Sequence, residues 1–162
     1  MRCEKPIRIS KNLCPKKFPG GIEVHCGKCF HCRVRKSTEW TLRCLHEAYE
    51  SDGCMFITLT YDEDNIPENK SLRIKDLQDF LKRLRKHYSK RLIHKGEYKH
   101  EKSFRYFACG EYGERTSRPH YHCIMFGLDV RSDYDRRSIQ EQWQQGIVTG
   151  KQFFMFIFSF MD

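Results

Sequence analysis

The chain has no apolar run approaching the roughly 18 residues that a membrane-crossing helix needs. Its longest apolar stretch, FFMFIFSFM near the C-terminus, is too short. The N-terminal MRCEKPIRIS carries no apolar core and does not read as a secretory signal. Neither an internal repeat nor a low-complexity tract is present, which excludes solenoids and biased linkers. Two further absences narrow the cysteine chemistry. Neither C-x-x-C is followed by His, which excludes a c-type haem. The chain also lacks both H-x-E and P-C-x-x-C, the signature of a zinc deaminase. These absences predict a soluble, cytoplasmic protein without a disulfide framework, whose thiols serve as metal ligands or small buried groups.

What is present is positive charge. Thirty Lys and Arg stand against 21 Asp and Glu, a formal charge of +9 over 162 residues. That length suits one domain, or one domain with a small appendage, and can bury a core unaided. The excess lies in segments 28–43, 82–102 and 115–137. In KRLRKHYSKRLIHKGEYKH the cations interleave with aromatic residues, a pattern suited to phosphates and unpaired bases. The reading from charge is therefore a polyanion partner, nucleic acid above all.

Residues 1–33 combine Cys, Pro and Gly without a sustained period and read as an irregular, metal-stapled segment. Residues 34–50 place Trp40, Leu42, Cys44, Leu45 and Ala48 near helical spacing, with Ser51-Asp52-Gly53 as the stop. CMFITLTYD, 54–62, reads as a buried strand. Residues 72–88 set Leu72, Leu77, Phe80, Leu81, Leu84 and Tyr88 on one helical face, with Ser71 as the expected N-cap. KSFRYFACGEYG and RPHYHCIMFGL read as strands joined by a turn at 113–118; DYDRRSIQEQWQQG reads as a helix and IVTG as a strand. The order strand, helix, strand, strand, helix, strand predicts an α+β fold, helices against a mostly antiparallel sheet. The expected division is 1–33 and 34–162.

Two clusters carry chemistry. CGKCFHC sets Cys26, Cys29 and Cys32 at successive C-x-x-C spacings, three thiolates that require a fourth ligand to close a structural zinc site. Cys3, Cys14, His25 and His31 are the candidates, and an iron–sulfur cluster is the rival reading. Cys44, Cys54, Cys109 and Cys123 lie within apolar-rich elements and read as core. In the second cluster, His120 and His122 fall at i and i+2 and so project from one face of a strand. If the preceding strand is the antiparallel neighbour, Glu111 lies across from them, with Glu114 in the turn as second choice. Two imidazoles and a carboxylate suit a divalent metal that keeps open positions and polarises a phosphodiester.

The H-hydrophobe-H strand following FITLTYD resembles the HUH endonucleases that initiate rolling-circle replication. Four ordered blocks, CGKCFHCRVRKSTEWTLRCLHEA, FITLTYD, LQDFLKRLRK and CGEYGERTSRPHYHCIMFG, closely resemble the replication initiation proteins of gokushoviruses, single-stranded-DNA bacteriophages of the microvirus group. The resemblance covers roughly residues 1 to 150. It implies a small antiparallel sheet flanked by helices, related to the RNA-recognition fold, with Mg²⁺ or Mn²⁺ on Glu111, His120 and His122. It implies Thr58, Thr60, Tyr61 and Arg118 near bound DNA, and Cys3 as the fourth ligand of a structural Zn²⁺ with Cys26, Cys29 and Cys32. The implied reaction is nicking of single-stranded origin DNA by a tyrosine on a later helix, through a 5′-phosphotyrosine link. The implied partners are origin DNA and host replication proteins in the cytoplasm of a bacterial host, with no membrane.

The resemblance ends at the third motif. After GIVT the family carries a helix reading approximately Tyr-x-x-x-Tyr with a nearby Lys, whereas this chain runs GKQFFMFIFSFMD, with no tyrosine after Tyr134. The expectation is a truncation before the catalytic-tyrosine helix, hence a chain that binds metal and single-stranded DNA with little or no nicking and no identifiable catalytic residue. Two alternatives remain: a non-enzymatic zinc-containing nucleic-acid-binding module, and a transposase or conjugative relaxase.

Overall fold

The structure, a computed structural model, describes residues 2–10, 20–90 and 103–152. The apolar tail 153–162, Cys14 and most of the basic connection after residue 90 lie outside the described residues. Packing divides the chain into two units, Met1–Glu47 and Ala48–Asp162.

In the first unit, β1 (Ile7–Ile9) pairs antiparallel with β2 (Ile22–Val24), and the helix α1 (Phe30–Glu50) begins directly after the cysteine run. The expected irregular segment therefore contains two short strands and the first turn of a helix. Three-residue strands are too short to show a period, and the second C-x-x-C closes the first helical turn, where Arg33 N donates to Cys29 O at 3.0 Å. The helix runs on through the expected 33/34 boundary. Its face differs from the reading of the apolar spacing: Cys44 and Ala48 are buried, but Trp40 and Leu42 are exposed.

The second unit contains β3 (Cys54–Tyr61), α2 (Ile74–Lys90), β4 (Arg105–Tyr112), β5 (Pro119–Phe126), α3 (Asp133–Gln142) and β6 (Gly146–Gln152). The strands form one sheet in the order β4-β5-β3-β6, every neighbouring pair antiparallel. This is the α+β fold expected, in a split βαβ arrangement. Strand alternation sorts its faces. Met55, Ile57, Leu59 and Tyr61 of β3 and Tyr121, Cys123 and Met125 of β5 are buried in a core with Phe80, Leu81, Leu84 and Tyr88 of α2 and Ile139 of α3. The apolar face read for α2 is thus the face that packs. Its expected cap is not formed: α2 begins three residues after Ser71, whose hydroxyl turns back to Asn69 O. Turn chemistry around Asn69 takes that hydroxyl before the helix starts.

Three polar links hold the frame beneath the opposite face. The Trp143 indole N–H donates to Thr60 O at 3.1 Å. Arg83 donates through Nε and Nη2 to Gln142 O, at 3.1 and 2.9 Å, capping α3 from α2. Asp135, fully buried, accepts from the Tyr88 hydroxyl at 2.9 Å and from Asp129 N at 3.0 Å.

Candidate metal centres

The sheet face away from α2 and α3 carries the histidines. Register sets Glu111 opposite His120 and Cys109 opposite His122 on one side; Thr58 stands opposite His122 and Thr60 opposite His120 on the other. The turn that aligns β4 with β5 is closed by Gly113 N to Arg118 O at 3.0 Å and Ser117 N to Gly113 O at 2.7 Å. Glu111, His120 and His122 come together as expected, their ligand atoms all within 4.8 Å of one another. Glu114, in the turn, is outside the group.

The geometry fits a small divalent cation. His122 Nε2 lies 3.0 Å from Glu111 Oε2 and 3.1 Å from His120 Nε2; His120 Nε2 lies 3.8 Å from the same carboxylate oxygen. Adjacent ligands at a metal–ligand distance of about 2.1 Å in octahedral geometry stand about 3 Å apart. The far side of each ring is also committed. His120 Nδ1 is 3.1 Å from Arg118 O, a carbonyl that can only accept, so Nδ1 carries the proton and Nε2 offers a lone pair. His122 Nδ1 is 3.0 Å from the Thr58 hydroxyl, and the Phe56 ring stacks on its imidazole at 5.2 Å and 25°. Burial, then the neighbouring His120, hold the His122 imidazole below its ordinary pKa, with Glu111 opposing them. Lone pairs converging at these distances repel unless a cation lies among them. The carboxylate is 58% exposed, which leaves one side of the site open.

The residues expected to contact DNA separate. Thr58 and Thr60 share the histidine face. Tyr61 does not: its ring is 1% exposed on the core side, and its hydroxyl donates to Asp76 Oδ2 at 2.8 Å. Arg118 is engaged with protein, donating Nε and Nη2 to Tyr61 O at 3.0 and 2.7 Å and Nη1 to Glu63. It ties the end of β3 to the start of β5, and its own carbonyl orients His120. The phenols of Tyr61 and Tyr121 are held above their ordinary pKa by burial first, and both point into the core. Cys109, read as core, is exposed on the histidine side of edge strand β4, where nothing covers it. The sequence reading missed Phe56, whose position two residues before Thr58 puts it on the same face, and Trp143, whose polar role is not encoded in any spacing.

The second cluster is Cys3, Cys26, Cys29 and Cys32, again with ligand atoms within 4.8 Å. Two Sγ–Sγ separations, Cys26 to Cys32 and Cys29 to Cys3, are 4.0 Å. Four thiolates at tetrahedral metal–sulfur distances of about 2.3 Å lie about 3.8 Å apart. Cys26 Sγ accepts from Lys28 N at 3.4 Å and Cys29 N at 3.3 Å, and Cys3 Sγ from Cys26 N at 3.3 Å. The backbone N–H of Cys29 and then that of Lys28 lower the Cys26 thiol to about 6. Backbone donors at Glu4 and Cys32 also lower Cys29, whereas burial pushes Cys32 up to about 12. Of the other candidates, His31 Nδ1 is 3.0 Å from Glu4 Oε1, and His25 Nδ1 stands 3.8 Å from Cys32 Sγ, outside the four-sulfur group.

The sheet and its face define a split βαβ domain bearing a candidate two-histidine, one-carboxylate centre, preceded by a four-cysteine cluster. Residues 54–157 match the family model for the phage replication-associated protein ORF2, and the chain belongs to that family. The chain is 34% identical over 130 residues to replication-associated protein VP4 of Bdellovibrio phage phiMH2K, covering 78% of this chain and 38% of that protein. It is 33% identical over 136 residues to replication-associated protein ORF2 of Spiroplasma virus 4, covering 79% of this chain and 40% of that protein. Over 139 residues it is 27% identical to replication-associated protein ORF4 of Chlamydia phage 1, covering 76% and 33% respectively. The chain thus spans less than half the length of the relatives it matches, and the resemblance read from the four sequence blocks holds at the level of family. No solved structure matches it. Among the described residues no helix is long and apolar enough to cross a membrane.

Proposed function

We propose that the chain is the metal- and DNA-binding part of a rolling-circle replication initiator of the HUH type, acting on single-stranded origin DNA of a small phage in the cytoplasm of its bacterial host. The observation that carries this reading is the convergence of Glu111, His120 and His122 on one open sheet face. The antiparallel sheet with helices on its other face supports an HUH or RNA-recognition-like fold. Mg²⁺ or Mn²⁺ suits the carboxylate and imidazoles, and when bound would polarise a phosphodiester oxygen. Glu111, His120 and His122 hold the centre; Thr58 and Thr60 line the approach of the strand. Arg118 and Tyr61 frame the ligands through the bond from the guanidinium to the Tyr61 carbonyl. Zn²⁺ suits the four cysteines, in a structural role.

Among the described residues no tyrosine of β3, β4 or β5 shares the histidine face: Tyr61 pairs with Gly146, Tyr106 with Met125, Tyr112 with Pro119, and Tyr121 is buried. These 162 residues therefore bind single-stranded DNA in a metal-dependent way without forming a phosphotyrosine. Anisotropy of a labelled origin oligonucleotide should show tighter binding with Mn²⁺, and His120→Ala/His122→Ala should abolish that increment while the fold persists. A covalent protein–DNA band on a denaturing gel would sink the non-nicking part. An unaltered Mn²⁺ response in the double variant would favour a purely structural role for the histidines, as in a non-enzymatic nucleic-acid-binding module.

A further inference from the structure

The central part of α1 is unusually bare. Residues 35–43 are all exposed, including Trp40, whose side chain an amphipathic helix would ordinarily bury. Arg33, Lys36, Trp40 and Arg43 follow i, i+3, i+7 and i+10 spacing, which places them on one stripe of the helix. Arg35, on the far side, is paired with Glu39 at 3.6 Å. Among the described residues Arg33, Lys36 and Arg43 have no acidic partner, and the Arg43 guanidinium stands 5.1 Å from the centroid of the Trp40 ring. Like charges three residues apart on a helix repel, so such a stripe is unfavourable without an anion facing it. The first of its cations directly follows Cys32, so the cysteine cluster fixes the turn from which the stripe starts.

We infer that this stripe is a second nucleic-acid contact, in the unit Met1–Glu47, taking single-stranded DNA. Three cations spread over about 15 Å of helix match the repeating charge of a phosphate backbone. An indole 41% exposed between them offers a stacking surface to a base free of its complement. A duplex, whose bases are already stacked on both sides, would satisfy the cations but leave Trp40 without a role. The inference rests on the DNA-binding reading above and extends it to the other unit.

The test uses the full chain, without added divalent metal, and a fluorescein-labelled oligothymidylate of about 20 nucleotides. Arg33→Gln/Lys36→Gln/Arg43→Gln should reduce the slope of log affinity against log salt by about 2, since each contact to a single strand contributes roughly 0.7. Trp40→Ala should weaken binding about tenfold. Indole emission should be quenched on binding in the wild type and not in Trp40→Phe, because Trp143 is fully buried. Helical content and cysteine-bound metal verify folding; should the triple variant misfold, single substitutions should each remove about 0.7 of slope. An unchanged slope, or equal slope and quenching with the corresponding duplex, overturns the inference. If only the HUH reading fails, the stripe-dependent slope persists and the Mn²⁺ increment vanishes; if only the stripe fails, the increment persists and the slope ignores the substitutions.

Discussion

At the scale of single residues, the histidine face depends on what stands behind each ring. A ligating imidazole presents the correct lone pair only when its other nitrogen is fixed, and here Arg118 O and the Thr58 hydroxyl do this for His120 and His122. Thr58→Val keeps the shape of β3 but removes the partner of His122 Nδ1. Mn²⁺ affinity should fall about 10- to 100-fold, measured by calorimetric titration, with thermal stability nearly unchanged. An affinity equal to wild type would show that Phe56 stacking alone orients the ring. The pH dependence follows from the depressed pKa of His122. In the unfolded chain this group protonates nearer its ordinary value, so the unfolded state takes up protons first as pH falls. Stability from His122 is therefore present above the ordinary histidine range and lost as pH falls below it through the folded-state pKa. Metal-free urea unfolding should give a stability that declines with acidification through this range. His122→Gln should flatten the decline; an identical slope in the variant would refute the assignment.

Among the elements, the strands and helices with clear periods were legible in the sequence and the short or exposed ones were not. The period-2 residues of CMFITLTY and PHYHCIMF, and the 3.6-residue spacing of Leu77, Phe80, Leu81, Leu84 and Tyr88, correspond to β3, β5 and α2 because burial enforces those periods. From the same alternation, the convergence of Glu111 on His120 and His122 could be read before any register was known. Strands β1 and β2 escaped because three residues cannot display a period, and the exposure of Trp40 because apolar spacing does not say whether anything covers a face. Arg118 and Tyr61 read as DNA contacts from the resemblance; that the guanidinium is spent on the Tyr61 carbonyl depends on where two strand ends meet, which no local pattern encodes. One glycine governs how β6 joins β3. Gly146 has φ of +147°, and a Cβ there would run into Thr60 O and Asp62 N. Gly146→Ala should destabilise the second unit by about 1–3 kcal/mol and disturb Thr60, whose carbonyl also receives the Trp143 indole N–H. Chemical denaturation checks the loss, and a variant as stable as wild type would mean the backbone relaxes there at little cost.

For the whole molecule, the contrast between the two units decides what each needs to stay folded. The described buried apolar residues of Met1–Glu47 are Cys3, Cys32 and Cys44, all thiols, whereas Ala48–Asp162 holds the aromatic and aliphatic core around Trp143 and Phe80. Burial of so little apolar surface cannot offset the entropy of ordering the first unit, so its order must come largely from what the four cysteines bind. The lowered Cys26 thiol favours metal capture near neutral pH, and the raised Cys32 thiol means that capture releases a proton there. Cys29→Ser, or titration of the thiols with a mercurial reagent, should therefore release zinc and abolish hydrogen-exchange protection across β1, β2 and the first turns of α1. Protection of β3, β5 and α2 should survive, and Mn²⁺ should still bind at Glu111, His120 and His122. Retained protection in the first unit after metal loss would require an apolar core there beyond those three thiols. Collapse of the second unit would show instead that the two fold as one cooperative body, with the cysteine cluster stabilising the sheet that carries the histidines.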